Sequence, residues 1–125
     1  MILVDTSVWV DHLRAGEPAL ARLLDHGLVL AHPWVTGELA LGHLSQRQDI
    51  LGLLTDLPSA EIATDTDVLG LIESERLYGL GVGYVDAQLL AATRLTADAQ
   101  LWTADKRLVA VARRLRLLAD LEVER

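Results

Sequence analysis

The sequence has no cysteine and no phenylalanine, and its aromatic side chains amount to three Trp and two Tyr. Without cysteine there is neither a disulfide nor a thiolate zinc site, and a cytoplasmic location is the default expectation. No apolar run approaches the roughly 18 residues that a membrane span requires. The opening stretch, residues 1–10, has no basic flank, and its apolar run is broken by Asp5 and Asp11, so neither a secretory leader nor a membrane segment is expected. Low-complexity segments, repeats and linkers are also missing. Basic residues are scarce: 11 against 18 acidic, a formal charge of −7. Taken alone, that balance argues against a general nucleic-acid binder, which normally carries a basic surface. The excess is unevenly spread, however. Residues 1–100 carry five basic and fourteen acidic groups, whereas residues 101–125 carry six basic and four acidic. Bound divalent cations would cancel part of the acidic excess.

What the chain does have is 51% hydrophobic residues, mostly Leu, Val and Ala, in 125 positions. That is one ordinary domain, residues 1–125, with enough apolar surface for a continuous core. Leu and Ala favour helices while Val and Ile favour strands. Residues 2–5 read as a short buried strand ending in a carboxylate, and Thr6 or Ser7 can cap the helix that carries Trp9, Val10 and Leu13. A helix over 18–26 starts with Pro18 in its first turn and stops at Gly27. A strand at 28–31 follows, then helices near 35–44 and 46–57, with Pro33 breaking the chain before the first. Beyond the turn at Pro58 and Ser59 come a strand near Ile62 and a helix over 65–77 capped by Asp65. A glycine loop (Gly79, Gly81, Gly83), a helix near 82–95, a strand at 101–103, a helix over 105–115 and a short strand at 117–118 complete the chain. Strands alternating with helices predict an α/β fold, a central parallel sheet of four to five short strands flanked by helices on both faces. Ligands of such sheets bind beyond the carboxyl ends of the strands, which directs attention to Asp5 and to residues 103–105.

Four carboxylates stand out, each open to two readings. Asp5 ends the first strand, as a helix cap or as a functional acid, and Thr6 and Ser7 leave the cap without need of it. Asp86 shares a helical stripe with Val82, Val85, Leu89 and Thr93. A carboxylate on that apolar face must be paired, protonated or metal-bound, unless it is a first-turn acid favoured by the helix dipole. Glu38 falls early in its expected helix, where the same dipole argument applies. Asp105 opens a helix two residues after the strand that ends at Thr103, as an N-cap or a ligand. Gathered on one sheet edge, four acids require shifted pKa values or cations between them. An all-oxygen donor set selects a hard ion, Mg²⁺ or Mn²⁺, the apparatus of metal-assisted phosphodiester hydrolysis.

The segments Ile2-Leu3-Val4-Asp5-Thr6-Ser7-Val8-Trp9, Glu38, Gly83-Tyr84-Val85-Asp86-Ala87 and Leu101-Trp102-Thr103-Ala104-Asp105-Lys106-Arg107-Leu108 together resemble the PIN-domain family. Within it they are most similar to the VapC-type toxins of bacterial toxin–antitoxin pairs. The likeness runs nearly end to end, and the order and spacing of all four acids agree. The resemblance implies a single PIN-like domain acting as an Mg²⁺- or Mn²⁺-dependent endoribonuclease on structured RNA. It implies Asp5, Glu38, Asp86 and Asp105 as the metal-binding and catalytic acids, with Thr103 as the hydroxyl that orders the site around Asp105. It further implies a homodimer and a small cognate antitoxin protein.

One basic surface can be placed from periodicity. In the helix over 105–115, Leu108, Val111, Ala112 and Leu115 share one side, while Lys106, Arg107, Arg113 and Arg114 lie on the other. That stripe is either an RNA-backbone contact beside the acids or a solvated face with last-turn arginines complementing the dipole. His12, His26, His32 and His43 lack paired metal spacing and are expected in surface or structural roles. The glycines lack the preceding strand of a phosphate-binding loop and read as a flexible turn. Leu and Val in the helices after Asp11 and after Gln46 exceed what one small core needs, compatible with a dimer or antitoxin groove. A receiver domain would need an acidic pair at the first strand, and a dehalogenase-type phosphatase an Asp-x-Asp, where Thr6 and Ser7 stand instead. The rival from another class is a non-catalytic PIN-fold module for protein interaction, and the presence of all four acids weighs against it.

Overall fold

The computed structural model describes residues 1–121. Its elements run β1 (Ile2–Val4), α1 (Thr6–Ala15), α2 (Pro18–Asp25), β2 (Val29–Leu30), α3 (Pro33–Ala40), α4 (Arg47–Asp56), α5 (Asp65–Ser74), α6 (Tyr84–Leu95), β3 (Gln100–Trp102) and α7 (Lys106–Arg114). The strands form one parallel sheet in the order β2-β1-β3, with Leu3 opposite both Leu30 and Leu101. Side chains of a strand alternate between faces, yet Ile2, Leu3 and Val4 are all buried. Both faces of β1 are therefore covered, as an all-parallel sheet requires. Leu20, Leu89, Leu90 and Leu108 from α2, α6 and α7 are fully buried in the same core. Among the described residues no helix is long and apolar enough to cross a membrane.

The sheet has three strands rather than the expected four to five. Near Ile62 the chain touches β2's end only through one bridge, Ala31 to Ser59, closed by Ala31 N–H to Pro58 O at 2.8 Å and Ala60 N–H to Ala31 O at 2.9 Å. Ile62 itself is 58% exposed, so a β-branched residue sits on the surface beside a single rung. At 117–118 the chain likewise makes one bridge, Leu101 to Leu118. There Leu101 N–H donates to Leu117 O at 2.7 Å and its carbonyl accepts from Ala119 N–H at 2.8 Å. Both segments leave the edge after one residue and extend no ladder.

Helix starts follow local chemistry. Pro18 and Pro33 occupy first-turn positions of α2 and α3, where a missing N–H costs nothing. Pro33 thus begins α3 rather than preceding it, two residues earlier than expected from Val35. His32 is the N-cap: its Nδ1 accepts from Trp34 N–H at 3.1 Å, and burial lowers its pKa, keeping the ring neutral as a structural residue. α5 is capped by Thr64, not Asp65, through a reciprocal pair with Asp67 at 3.1 Å in both directions, the capping box. Asp65 is released to accept from the Tyr84 hydroxyl at 2.7 Å, which ties α5 to α6.

Truncating the fully buried Leu101→Ala should cost about 2–5 kcal/mol in urea denaturation. Ile62→Thr should stay within about 0.5 kcal/mol of the parent. A large loss at Ile62 would mean that this segment carries strand-like burial after all.

Candidate active site

β1 and β3 run parallel and end together, and Asp5 N–H continues their ladder by donating to Trp102 O at 2.9 Å. Asp5 therefore leaves the sheet beside Thr103. It stands at the N-cap of α1 but makes no side-chain capping bond. Its carboxylate, 7% exposed, turns across the sheet edge instead: Oδ2 accepts from Ser7 Oγ at 2.7 Å and from Thr103 Oγ1 at 2.8 Å. Thr103 Oγ1 also accepts from Asp105 N–H at 3.1 Å, and Ser7 Oγ accepts from Ala104 N–H at 3.0 Å. Two hydroxyls thus brace the strand-end acid against the loop leading to Asp105. Ser7 was expected only as a cap and proves to be part of this brace.

Asp105 is the N-cap of α7, with Oδ1 accepting from Arg107 N–H at 2.9 Å and Leu108 N–H at 3.1 Å. Asp86 lies in the first turn of α6, where Oδ2 accepts from Gly83 N–H at 3.1 Å. Three acids therefore sit at helix N-termini, whose positive dipole ends favour negative charge. Glu38 departs from the expectation: α3 spans Pro33–Ala40, so Glu38 is near its C-terminus and gets no help from the dipole. It is held from α1, with Thr6 Oγ1 donating to Oε1 at 2.7 Å. Thr6, like Ser7, serves an acid rather than the helix cap.

Asp86 feels the other three carboxylates. Burial raises the Asp86 pKa above its ordinary 3.8, and the charges of Asp5, Asp105 and Glu38 raise it further, against the opposing hydrogen bond from Gly83. Among the described residues none of the four forms an ion pair with Lys, Arg or His. In each, one carboxylate oxygen is engaged by a neutral donor while Asp5 Oδ1, Glu38 Oε2, Asp86 Oδ1 and Asp105 Oδ2 accept nothing from described groups. Uncompensated, oxygen-only and braced by neutral donors, this set fits a hard divalent cation. As the side chains stand, no three His, Asp or Glu among the described residues are close enough to hold one ion.

A family model, the PIN domain, matches residues 2–114. The chain belongs to the PIN-domain family. It is similar to Ribonuclease VapC32 of Mycobacterium tuberculosis strain CDC 1551 / Oshkosh, 49% identical over 110 residues that cover 88% of this chain and 89% of the relative. The protein of the same name from strain ATCC 25618 / H37Rv matches with the same figures. Both relatives place the chain with VapC-type PIN domains.

The basic helix of this PIN domain does not present one continuous stripe. Arg114 Nη2 donates to Glu75 O at 2.6 Å, capping the end of α5. Arg107 lies against the glycine loop: a Cβ added to Gly81 would stand 2.8 Å from its Cδ and Nη1. The loop is therefore shaped by close approach as well as by backbone freedom. Arg113 instead lines a cleft that Trp102 also lines, and Lys106 is exposed at the first turn. The helix thus divides its cations between two sides.

The raised Asp86 pKa means that its contribution to stability is complete below pH 3.8 and is lost as pH rises through the folded-state value. In chelator at neutral pH, Asp86→Asn should therefore melt above the parent, with the gap closing on acidification below 3.8. A variant that melts lower at neutral pH would contradict the cost of burying this charge beside other acids. Separately, Gly79 and Gly81 both have left-handed backbones, φ 75° and 82°, but only Gly81 has Arg107 against it. Each change to Ala should cost about 1–2 kcal/mol of strain, and Gly81→Ala about 1 kcal/mol more from overpacking. That excess should vanish in an Arg107→Ala background. Equal costs in both backgrounds would mean that Arg107 simply moves aside.

Proposed function

We propose that this VapC-type PIN domain is a metal-dependent endoribonuclease, the toxin of a type II toxin–antitoxin pair. The observation that carries the reading is geometric: Asp5, Glu38, Asp86 and Asp105 are each held by a neutral donor, and among the described residues none is ion-paired with a cation. Such an arrangement is costly for a scaffold and useful for a site that receives cations. The name of the relatives, Ribonuclease VapC32, supports RNA as the substrate.

Asp5, Glu38, Asp86 and Asp105 would hold Mg²⁺ or Mn²⁺, directly or through water, since Mg²⁺ commonly takes only one or two carboxylates and keeps several waters. The bound ion supplies Lewis acidity toward water and charge neutralisation at the phosphodiester. The chain's own groups do the positioning. Ser7 and Thr103 hold the Asp5 carboxylate in one rotamer by occupying Oδ2, leaving Oδ1 without a donor among the described residues. Thr103 couples that rotamer to the backbone of Asp105. Thr6 holds Glu38 across from α1, and Gly83 fixes Asp86. Side chains frozen in this way lose little further freedom when ion and substrate arrive.

Lys106, Arg107 and Arg113 are proposed to contact the RNA backbone, while Arg114, bonded to Glu75, serves the fold first. A homodimer, a small antitoxin protein as partner and a cytoplasmic site of action complete the reading. Leu41, 91% exposed, Val10, 46%, and Leu53, 41%, are compatible with protein partners.

Purified protein should cut a total cellular RNA pool into discrete fragments with Mn²⁺ or Mg²⁺, and not in EDTA. Asp86→Asn keeps an oxygen for Gly83 N–H and should lose about 10²-fold or more in rate, the usual effect of removing one electrostatic stabiliser. Mn²⁺ should also raise the melting temperature of the parent. Intact RNA from a folded protein whose melting temperature ignores metal would favour the interaction module.

A further inference from the structure

A cleft of about 560 Å³ opens on the β3 side of the acids. Its lining includes Trp102, Thr103, Arg113, Arg116, Leu118 and Asp120. Thr103 belongs to both places, since its hydroxyl donates to Asp5 Oδ2 at 2.8 Å. The cleft therefore starts where the acidic site ends. Trp102 is half-buried, and Leu118 shares the lining. Arg113 closes the last turn of α7, and Arg116 stands just beyond it in a left-handed conformation, φ 61°. The bond from Arg116 N–H to Arg113 O at 3.0 Å and that from Leu117 N–H to Ala112 O at 2.8 Å fix this corner. Among the described residues neither arginine has an acidic partner. Asp120 is the acid on the lining, and it is not free.

An indole, two arginines without an acidic partner among the described residues and a direct continuation into the acids make a defined combination. We infer that this cleft is a nucleotide subsite, taking an unpaired base against Trp102 and the adjoining phosphate between Arg113 and Arg116. The inference rests on the ribonuclease reading above and adds to it where the strand leaves the acids. Unpaired bases stack on aromatic faces whatever their sequence, while arginines hold the backbone. Charge complementarity favours the same occupant: residues 101–125 carry six basic and four acidic groups, against five and fourteen in residues 1–100. The subsite selects unpaired RNA, because a base inside a duplex cannot present its face to the indole.

The test uses the full chain in EDTA at low salt, where the metal-dependent reaction is off, with a hexamer of uridylate as probe. Binding is read by tryptophan quenching and by the anisotropy of a fluorescein-labelled copy. The hexamer should quench the parent and the Trp34→Leu variant alike, whereas Trp102→Leu should lose the quench and bind about tenfold more weakly. The double change Arg113→Ala, Arg116→Ala should weaken binding about tenfold or more and flatten the salt dependence. Trp102→Phe keeps an aromatic face and should retain most of the affinity, which guards against a Leu variant that fails to fold. Equal quenching in the parent and Trp102→Leu, wild-type affinity in both sets of variants, no binding by the parent, or saturation of the cleft by an acidic peptide that displaces the hexamer would each overturn the subsite. RNA cleavage by the parent with unaltered binding in the variants would remove the subsite and leave the nuclease. Binding that depends on Trp102 without any cleavage would do the reverse.

Discussion

Negative charge gathered at one end of a small sheet repels itself, and the local structure around it is a set of restraints on that repulsion. β1 and β3 terminate side by side, so Asp5 and the segment from Thr103 to Asp105 arrive at the same edge. Helices α1, α6 and α7 start there and turn their positive ends toward the acids. Glu38 is the acid without such support, and it is the one held by a hydroxyl from another helix. Neutral donors can hold carboxylates in place without discharging them. A lysine or arginine in the same positions would have satisfied the charge and closed the site to a cation.

The same economy explains how a chain of net charge −7 can be read as acting on a polyanion. The acids that dominate its formal charge are partly those that a divalent ion would neutralise. The cations are concentrated where the substrate path would run, on α7 and just after it. They are not equivalent. Arg114 is spent on the end of α5 and Arg107 lies on Gly81, so the flank with Arg113 keeps the freer groups.

The strands β1 and β3, the helices and the strand-end position of Asp5 were legible because each rests on local pattern: an apolar run ended by an acid, a proline in a first turn, a glycine stop. The limits of α3 were less so. Read as beginning at Val35, it put Glu38 in a first turn; Pro33 is itself helical, which moves Glu38 to the far end. Thr6 and Ser7 were visible as hydroxyls after a strand, but cap and brace use the same residue types, and only the position of Thr103 and Glu38 in space separates the two. The expected strands near Ile62 and at 117–118 have strand composition yet meet the sheet at a single residue each, since composition does not report how long two segments stay adjacent. The seat of Arg107 on Gly81 lies across 26 residues of sequence, beyond any periodicity.

Those single rungs have a consequence for the way the molecule meets others of its kind. A parallel sheet of three short strands exposes two open sides, and unpaired backbone groups on such sides recruit strands from other chains. Here Ala31, at the end of β2, has both its N–H and its carbonyl taken by 58–60, and Leu101 in β3 has both taken by 117–119. The covering segments then turn away and offer no ladder of their own. The fold thereby insulates its hydrogen-bonding margins with pieces too brief to become templates, a safeguard against self-templated aggregation that operates independently of the acids.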